Sequence, residues 1–284
     1  MSKAIGNYDL VRRICRNPQL MLSSGVIIII VLLAVFAPML SPHDPTAVSG
    51  EARFASPSRT YPLGADFLGR DILSSILYGA RTSLSVSIWS VTCALLIGTI
   101  LGLLAGYHRG WVESIIMRGV EAILCFPTIL IAIFMVGFMG ASVRNLVIVI
   151  ALVYTPRFAR IAYASTLSVK ENTYVESARA IGVQTRRLLF RYILPNILAP
   201  MFVQFSMGLG QAILLESGLS FLGLGPPPPA ASWGRLIDQS RRFMHLSAYG
   251  VAWPALAISG TVLTFNLLGD ALRDRLDPRL RGKP

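Results

Sequence analysis

Histidines and cysteines are the first places to look for chemistry in this 284-residue chain, and there are three of each. His43, His108 and His245 are dispersed and lack the H-E-x-x-H spacing that puts two imidazoles on one helix face. Cys15, Cys93 and Cys125 make no C-x-x-C pair, so neither a zinc site nor a disulfide scaffold is expected, and Cys93 and Cys125 read as small hydrophobes inside apolar runs. A membrane enzyme would need His, Asp, Ser or Cys converging on one face, and the three histidines do not supply that set. No G-x-x-x-x-G-K-[ST] phosphate loop occurs, and the one Gly-Lys pair is Gly282-Lys283. The chain therefore reads as having no catalytic residue, no metal site and no cofactor of its own.

The most informative polar stretch runs from Lys170 to Pro195. Thr173 followed by Glu176 has the spacing of a capping box, which predicts a helix start. Gly182 is placed to end that helix in a left-handed conformation. Thr185 can then cap a second helix whose Leu188, Leu189, Tyr192 and Ile193 face a bundle. Ala178 and Ala180 leave one side of the short helix small, a shape suited to another protein's groove.

The elements that position this stretch are membrane helices. Hydrophobic residues make up 54% of the chain and charged ones only 14%, where a soluble domain is nearer a quarter charged. Six apolar runs of about 20 residues, the length a bilayer needs, lie near 20–40, 84–106, 117–138, 145–163, 195–216 and 246–268. The first, preceded by Arg12, Arg13 and Arg16, is too long for a signal-peptide core and lacks an A-x-A exit, so it reads as a retained anchor. The formal net charge of +12 is mostly arginine between the runs, with no basic stripe interleaved with aromatics, which argues against nucleic acid. With the N-terminus inside, eighteen Lys and Arg fall on the cytoplasmic side and eight outside, so both termini are expected in the cytoplasm. The resulting division is a cytoplasmic segment 1–19, a first helix 20–40, an extended irregular outer loop 41–82, a five-helix unit 83–268 containing the inner loop 164–194, and a cytoplasmic tail 269–284.

Within the spans, Gly98, Gly102 and Gly106 share one helix face and predict close approach of another backbone. That face is expected to be exposed in the lone chain and covered by a partner. Pro127 and Pro156 fall inside the third and fourth spans, where kinks or hinges are expected. Intramembrane polar residues are functional hypotheses by default. Gln204, Gly208 and Gln211 recur on one face of the fifth span and either line a solvated path or hydrogen-bond to a neighbouring helix. Glu216 is expected near the outer interface, where water relieves its burial.

Glu176-Ser177-Ala178, Gly182 and Leu194-Pro195 resemble the E-A-A, three residues, G, nine residues, I-x-L-P loop of binding-protein-dependent ABC importer permeases. Ser177 stands where that pattern has its first alanine, and Tyr192 where it has isoleucine. Pro62-Leu63-Gly64-Ala65-Asp66 with Gly69-Arg70-Asp71 and Tyr78-Gly79-Ala80-Arg81-Thr82-Ser83-Leu84 is similar to a signature of the second (C-type) permease of dipeptide, oligopeptide and nickel importers, with Ala65 for threonine. Glu216 to Gly225, Ser232-Trp233-Gly234, and Phe265 to Pro278 are similar to it as well.

The resemblance implies an all-α integral membrane protein, the type I importer transmembrane domain (a MetI-like core) with one extra N-terminal helix. It implies a multi-pass protein of the bacterial inner membrane and a pathway for a di- or oligopeptide, with nickel-chelate, glutathione or opine as alternatives. It also implies a homologous second permease, two cytoplasmic ATPase subunits that bind ATP and Mg, and a periplasmic substrate-binding protein. The binding protein would be received at Pro62–Asp71 and 217–242. The loop carrying Thr173, Glu176, Ser177, Ala178, Gly182, Leu194 and Pro195 would couple to the ATPase. Outside the family, an ion-coupled secondary transporter is the alternative, although mid-membrane carboxylates and inverted repeats are not visible.

Overall fold

A computed structural model describes residues 18–276. Eleven helices are named here in chain order: α1 Pro18–Val35, α2 Ala37–Leu40, α3 Ile72–Tyr107, α4 Trp111–Leu124, α5 Thr128–Met139, α6 Val143–Lys170, α7 Thr173–Ala180, α8 Thr185–Arg187, α9 Leu194–Leu219, α10 Trp233–Arg241 and α11 Tyr249–Leu276. Among the described residues, five helical stretches are long and apolar enough to cross a bilayer, and six if α4 and α5 count as one bent span. Every backbone polar group inside lipid must be satisfied within the protein, which is why helices do the crossing. Residues 1–17 of the expected N-terminal segment 1–19, and the part of the expected tail 269–284 beyond Leu276, lie outside the described residues.

The second span begins a dozen residues earlier than its apolar run. Asp71 caps α3, its carboxylate accepting from the backbone N–H of Ser74 at 3.0 Å. The first three turns of α3 carry Ser74, Ser75, Arg81 and Ser83, polar enough to hide a helix from hydropathy but not to break one. The preceding loop has no regular helix from Ser41 to Asp71, as expected, yet it folds back on itself. The N–H groups of Ser49, Phe54 and Ala65 donate to the carbonyls of Leu68, Asp66 and Ala55 at 2.9–3.2 Å. Gly69, at φ +74°, lies against the Ser49 carbonyl, where a Cβ would have no room.

The third span is not one kinked helix. It breaks at Pro127 into α4 and α5, bent by 90°. Proline lacks the N–H that would continue the α4 ladder and clashes with the carbonyl one turn back. Pro156, by contrast, lies inside an unbroken α6. A π-helical stretch, Leu188–Ile193, joins α8 to α9 just before Pro195. There the missing proline N–H is accommodated by widening the turn.

The glycine face packs within the chain. A Cβ on Gly98 would meet the Cβ of Phe158 at 2.5 Å, and one on Gly102 the Ala159 carbonyl oxygen and the Ala162 Cβ, each at 2.5 Å. One on Gly106 would meet the Thr166 Cβ at 2.7 Å. Residue numbers rise together along this seam, so α3 and α6 run parallel. The expectation that this face stays exposed until a partner covers it is therefore corrected: α6 covers it. Leu146, Val149, Ile150, Phe158 and Ala162 of α6 are buried in the same core as Ile197, Met201 and Ile213 of α9.

These helices define two ends of the bundle. At one, α10 packs against the start of α3, the indole N–H of Trp233 donating to the Ile76 carbonyl at 3.0 Å. At the other, α7 lies beside the end of α3, with the Arg179 guanidinium 5.6 Å from the centre of the Tyr107 ring. Gln19 of α1 donates to the Leu267 carbonyl of α11 at 3.3 Å, joining the extra N-terminal helix to the last span near this α7 end.

Candidate functional site

The α7 end carries the loop helix singled out above, and its local folding is largely that expected from its residues. The helix spans Thr173–Ala180 and terminates in a Schellman motif. The N–H of Gly182 donates to the Arg179 carbonyl at 3.0 Å and that of Val183 to the Ala178 carbonyl at 3.1 Å. Gly182 has φ +80°, the left-handed region in which a side chain is strained. Space does not constrain this glycine, since nothing lies within 4 Å of a built Cβ. Only the backbone conformation calls for it.

The start of the helix departs from expectation. Asn172 is the capping residue, Thr173 is already helical, and no side chain caps the N-terminus. Glu176 thus misses the capping-box position by one residue and acts through its negative charge in the first turn, where the helix dipole favours it. Thr185 is likewise the first helical residue, after an uncapped Gln184. The apolar face expected behind it is present, with Leu188, Leu189 and Ile193 buried and Tyr192 packed on the core.

The presented face also differs. Ala178 and Val175 are buried against the bundle, so they hold α7 in place. Thr173, Glu176, Ser177 and Ala180, three or four residues apart, are exposed, and Ile181 just beyond is 81% exposed. The outward face is therefore small, mixed polar and apolar, and one turn of chain wide. Leu194 is half-buried and Pro195 exposed at the start of α9. Behind α7, the Lys170 ammonium donates to the Gly106 carbonyl, tying the last turns of α3 and α6 together beside the loop.

At the opposite end the structure assembles a polar node from segments far apart in sequence. Glu216 is completely buried. Its carboxylate accepts from the hydroxyls of Ser83 at 2.9 Å and Ser220 at 2.7 Å, with Ser217 at 3.4 Å. The expectation that interfacial water relieves Glu216 is thus corrected: protein hydroxyls do so. Ser83 in turn accepts from the backbone N–H of Trp233 at 3.3 Å. Gly79 and Gly234 let α10 sit directly on α3 and α9, a Cβ on Gly234 overlapping the Ser217 backbone at 2.1 Å. Above this node Arg70 bridges two segments, at 2.6 Å from the Asp66 carboxylate and 2.8 Å from the Gln239 side-chain oxygen. Residues 62–71 and α10 are thereby one surface. Burial depresses the basicity of the neighbouring Arg235, and the Arg70 charge adds to the effect.

Of the three residues on the fifth-span face, Gly208 is buried against Val91 and the Phe158 ring. It is a packing position and lines no surface. Gln204 and Gln211 remain half-buried. Gln211 accepts a hydrogen bond from the Arg157 guanidinium of α6, whose carbon sits 5.0 Å from the Tyr154 ring centre. Arg157 lies within the expected fourth span 145–163 and stands near the middle of α6, although the charge count places it with the cytoplasmic cations. Its position fourteen residues into a continuous helix was the signal available in the sequence. For the Glu216 node the available signal was Ser83, Ser217 and Ser220 recurring in the motifs around it.

Known proteins place this architecture. Residues 98–282 match the family described as the binding-protein-dependent transport system inner membrane component, and residues 8–57 the N-terminal transmembrane domain of oligopeptide transport permease C. A glutathione transport system permease protein of Pectobacterium atrosepticum is 43% identical over 271 residues, 95% of this chain and 90% of that protein. A dipeptide transport system permease protein of Alkalihalophilus pseudofirmus is 42% identical over 259 residues, 90% and 85% of the two chains. Among solved structures, an inward-facing methionine ABC transporter superposes with a TM-score of 0.60 at 15% identity, covering 72% of this chain and 96% of that one. An amino acid ABC transporter gives 0.56 at 16% identity, covering 71% and 94%. The N-terminal match covers α1 and residues 41–57 and the other match covers the core from Gly98 onward, and with that the chain belongs to the binding-protein-dependent permeases of ABC importers, as a multi-pass transport component of the inner membrane.

Proposed function

We propose that this chain forms half of the membrane pathway of an importer for di- or oligopeptides, paired with a homologous second permease and powered by two cytoplasmic ATPase subunits. The observation that carries the reading is α7. Its buried Val175 and Ala178 anchor it to the bundle, while Thr173, Glu176, Ser177 and Ala180 present a narrow outward face for a groove on an ATPase subunit. ATP and Mg bind those subunits, and their closure pushes α7. Lys170 on Gly106 and Val175 in the core give the push a rigid route into α3 and α6.

With α7 cytoplasmic, both termini are cytoplasmic as well, and residues 41–71 and 217–245 face the periplasm. The surface joined by Arg70, Asp66 and Gln239 then receives the substrate-loaded binding protein. Glutathione is the second reading of the cargo. It is itself a tripeptide with two free carboxylates, and the relative from Pectobacterium atrosepticum is a glutathione permease. The test is ATP-driven uptake by the complete complex in proteoliposomes. Uptake of dialanine or glutathione that depends on the binding protein supports the reading. Uptake of neither peptide would overturn it.

A further inference from the structure

Among the described residues, Arg157 is the intramembrane cation whose surroundings suggest a ligand. Its depth follows from the α3–α6 seam. Gly98 lies against Phe158, next in sequence to Arg157, while Ser83 lies at Glu216 and Gly106 at Lys170. At 1.5 Å per residue, Gly98 is roughly 22 Å below Ser83 and roughly 12 Å above Gly106 along α3. The side chain turns away from the nearer end. Tyr154 precedes Arg157 by one turn, and Gln211 lies on the Glu216 side of Gly208. The guanidinium is therefore held toward mid-membrane and does not snorkel to the α7 end.

A charge at this depth is costly in lipid and belongs against a protein interior or a water-filled path. Arg157 is half-buried, so part of its surface opens away from this chain. Among the described residues the ion pairs join His43 to Asp71, Arg70 to Asp66, Arg109 to Glu171 and Arg241 to Asp238, and none gives Arg157 an anion. What holds it is neutral: the Gln211 oxygen and the Tyr154 ring. A guanidinium carries five N–H donors in a planar fork matched to a carboxylate. Gln211 and Tyr154 fix the orientation of that fork without cancelling its charge.

We propose that Arg157, positioned by Gln211 and Tyr154, binds the terminal carboxylate of the peptide in transit. This rests on the peptide-import reading above. A free C-terminal carboxylate is common to dipeptides, oligopeptides and glutathione, so one guanidinium can serve cargo of differing side chains. Burial of the pair in a site of low dielectric strengthens the charge-assisted bond. Because Tyr154 and Gln211 are not anions, no internal ion pair has to break before the carboxylate binds.

The experiment compares trialanine with trialanine amide, each preloaded on saturating binding protein and presented to the full complex in proteoliposomes. The wild type should take up the acid faster than the amide. In Arg157→Gln, acid uptake should fall on the order of tenfold, the scale of one lost charge-assisted hydrogen bond, bringing the acid-to-amide ratio close to one. Arg157→Lys, which keeps charge without the fork, should fall between. An unchanged ratio in Arg157→Gln would overturn the assignment while leaving peptide import intact. So would failure of that variant to assemble, which would assign Arg157 to a carboxylate of the second permease. If the wild type imports neither trialanine nor glutathione, the peptide reading fails and this inference falls with it.

Discussion

Two residues carry the sharpest expectations because each is held by a single identifiable cause. Gly182 is glycine for its φ of +80° alone, as open space surrounds it. Gly182→Val therefore meets no steric clash with neighbours but forces a β-branched side chain into the left-handed region, at a cost of about 1–2 kcal/mol. The Schellman turn should reorient, and the bundle should not, because Val175 and Ala178 remain to bury. The variant is expected at near wild-type levels in the membrane, with substrate-stimulated ATPase activity and uptake uncoupled. Wild-type coupling would reduce this turn to a connector. Glu176→Ala should be milder. With no capping box to lose, only its favourable charge at the helix start disappears, about 0.3–1 kcal/mol at an exposed site. Glu216 is the opposite case, fully buried and surrounded by donors. Glu216→Ala leaves serine hydroxyls without their acceptor, at about 1–3 kcal/mol for each group left unsatisfied. The thermal midpoint of the purified complex should drop, and α10 should become more accessible to proteolysis. A variant as stable as the wild type would show that the node does not hold α10 down.

At the scale of elements, what hydropathy can see was legible and what depends on a partner surface was not. Apolar runs disclosed the spans because lipid demands about 20 such residues in a row. The first turns of α3 escaped notice because Ser74, Ser75, Arg81 and Ser83 dilute the run, although Asp71 stood at its cap. The 90° break at Pro127 and the uninterrupted helix through Pro156 show that a proline names a weak point without saying whether neighbours repair it. The glycines at 98, 102 and 106 announced a close approach, yet a small-residue face carries no information about which helix fills it. Its partner turns out to be α6, and the prediction changes accordingly. Gly102→Leu drives a side chain into the Ala159 carbonyl and Ala162 at distances no atoms tolerate, so α3 and α6 must separate. The lesion should appear in the isolated subunit as low yield and early aggregation in detergent, before any second permease is added. A Gly102→Leu subunit that is well behaved alone and fails only in the complex would return the seam to the interface between permeases.

At the scale of the whole molecule, the two ends of the bundle have different chemistry, and import requires them to face different compartments. The α7 end presents a short helix with Arg186, Arg187 and Arg191 exposed beyond it, and the positive-inside bias predicts a cytoplasmic position for such a loop. The α10 end presents Arg70 locked to Asp66 and Gln239, and Arg241 paired with Asp238, so its cations are partly neutralised. The two ends thus differ in charge compensation as well as in the count of Lys and Arg, the quantity on which orientation depends. Helix lengths agree: α3 runs from Asp71 at one end to Tyr107 at the other, roughly 50 Å at 1.5 Å per residue, longer than a hydrocarbon core of about 30 Å. The node at Glu216 and the loop at α7 are therefore far enough apart to stand on opposite sides of a membrane. Thiol labelling decides which is which. Cys15, Cys93 and Cys125 are first replaced by serine, since Cys125 is exposed and would react. Ser177→Cys on the exposed face of α7 and Gln239→Cys on α10 are then treated in intact cells with a reagent that does not cross the inner membrane. Label is expected at 239 before lysis and at 177 only after it. Label at 177 in intact cells would invert the topology, and α7 could not then meet a cytoplasmic ATPase. After lysis, labelling at 177 should be slower in cells that also express the ATPase subunits than in cells expressing the permease without them, because the proposed ATPase groove would cover Thr173, Glu176, Ser177 and Ala180 together.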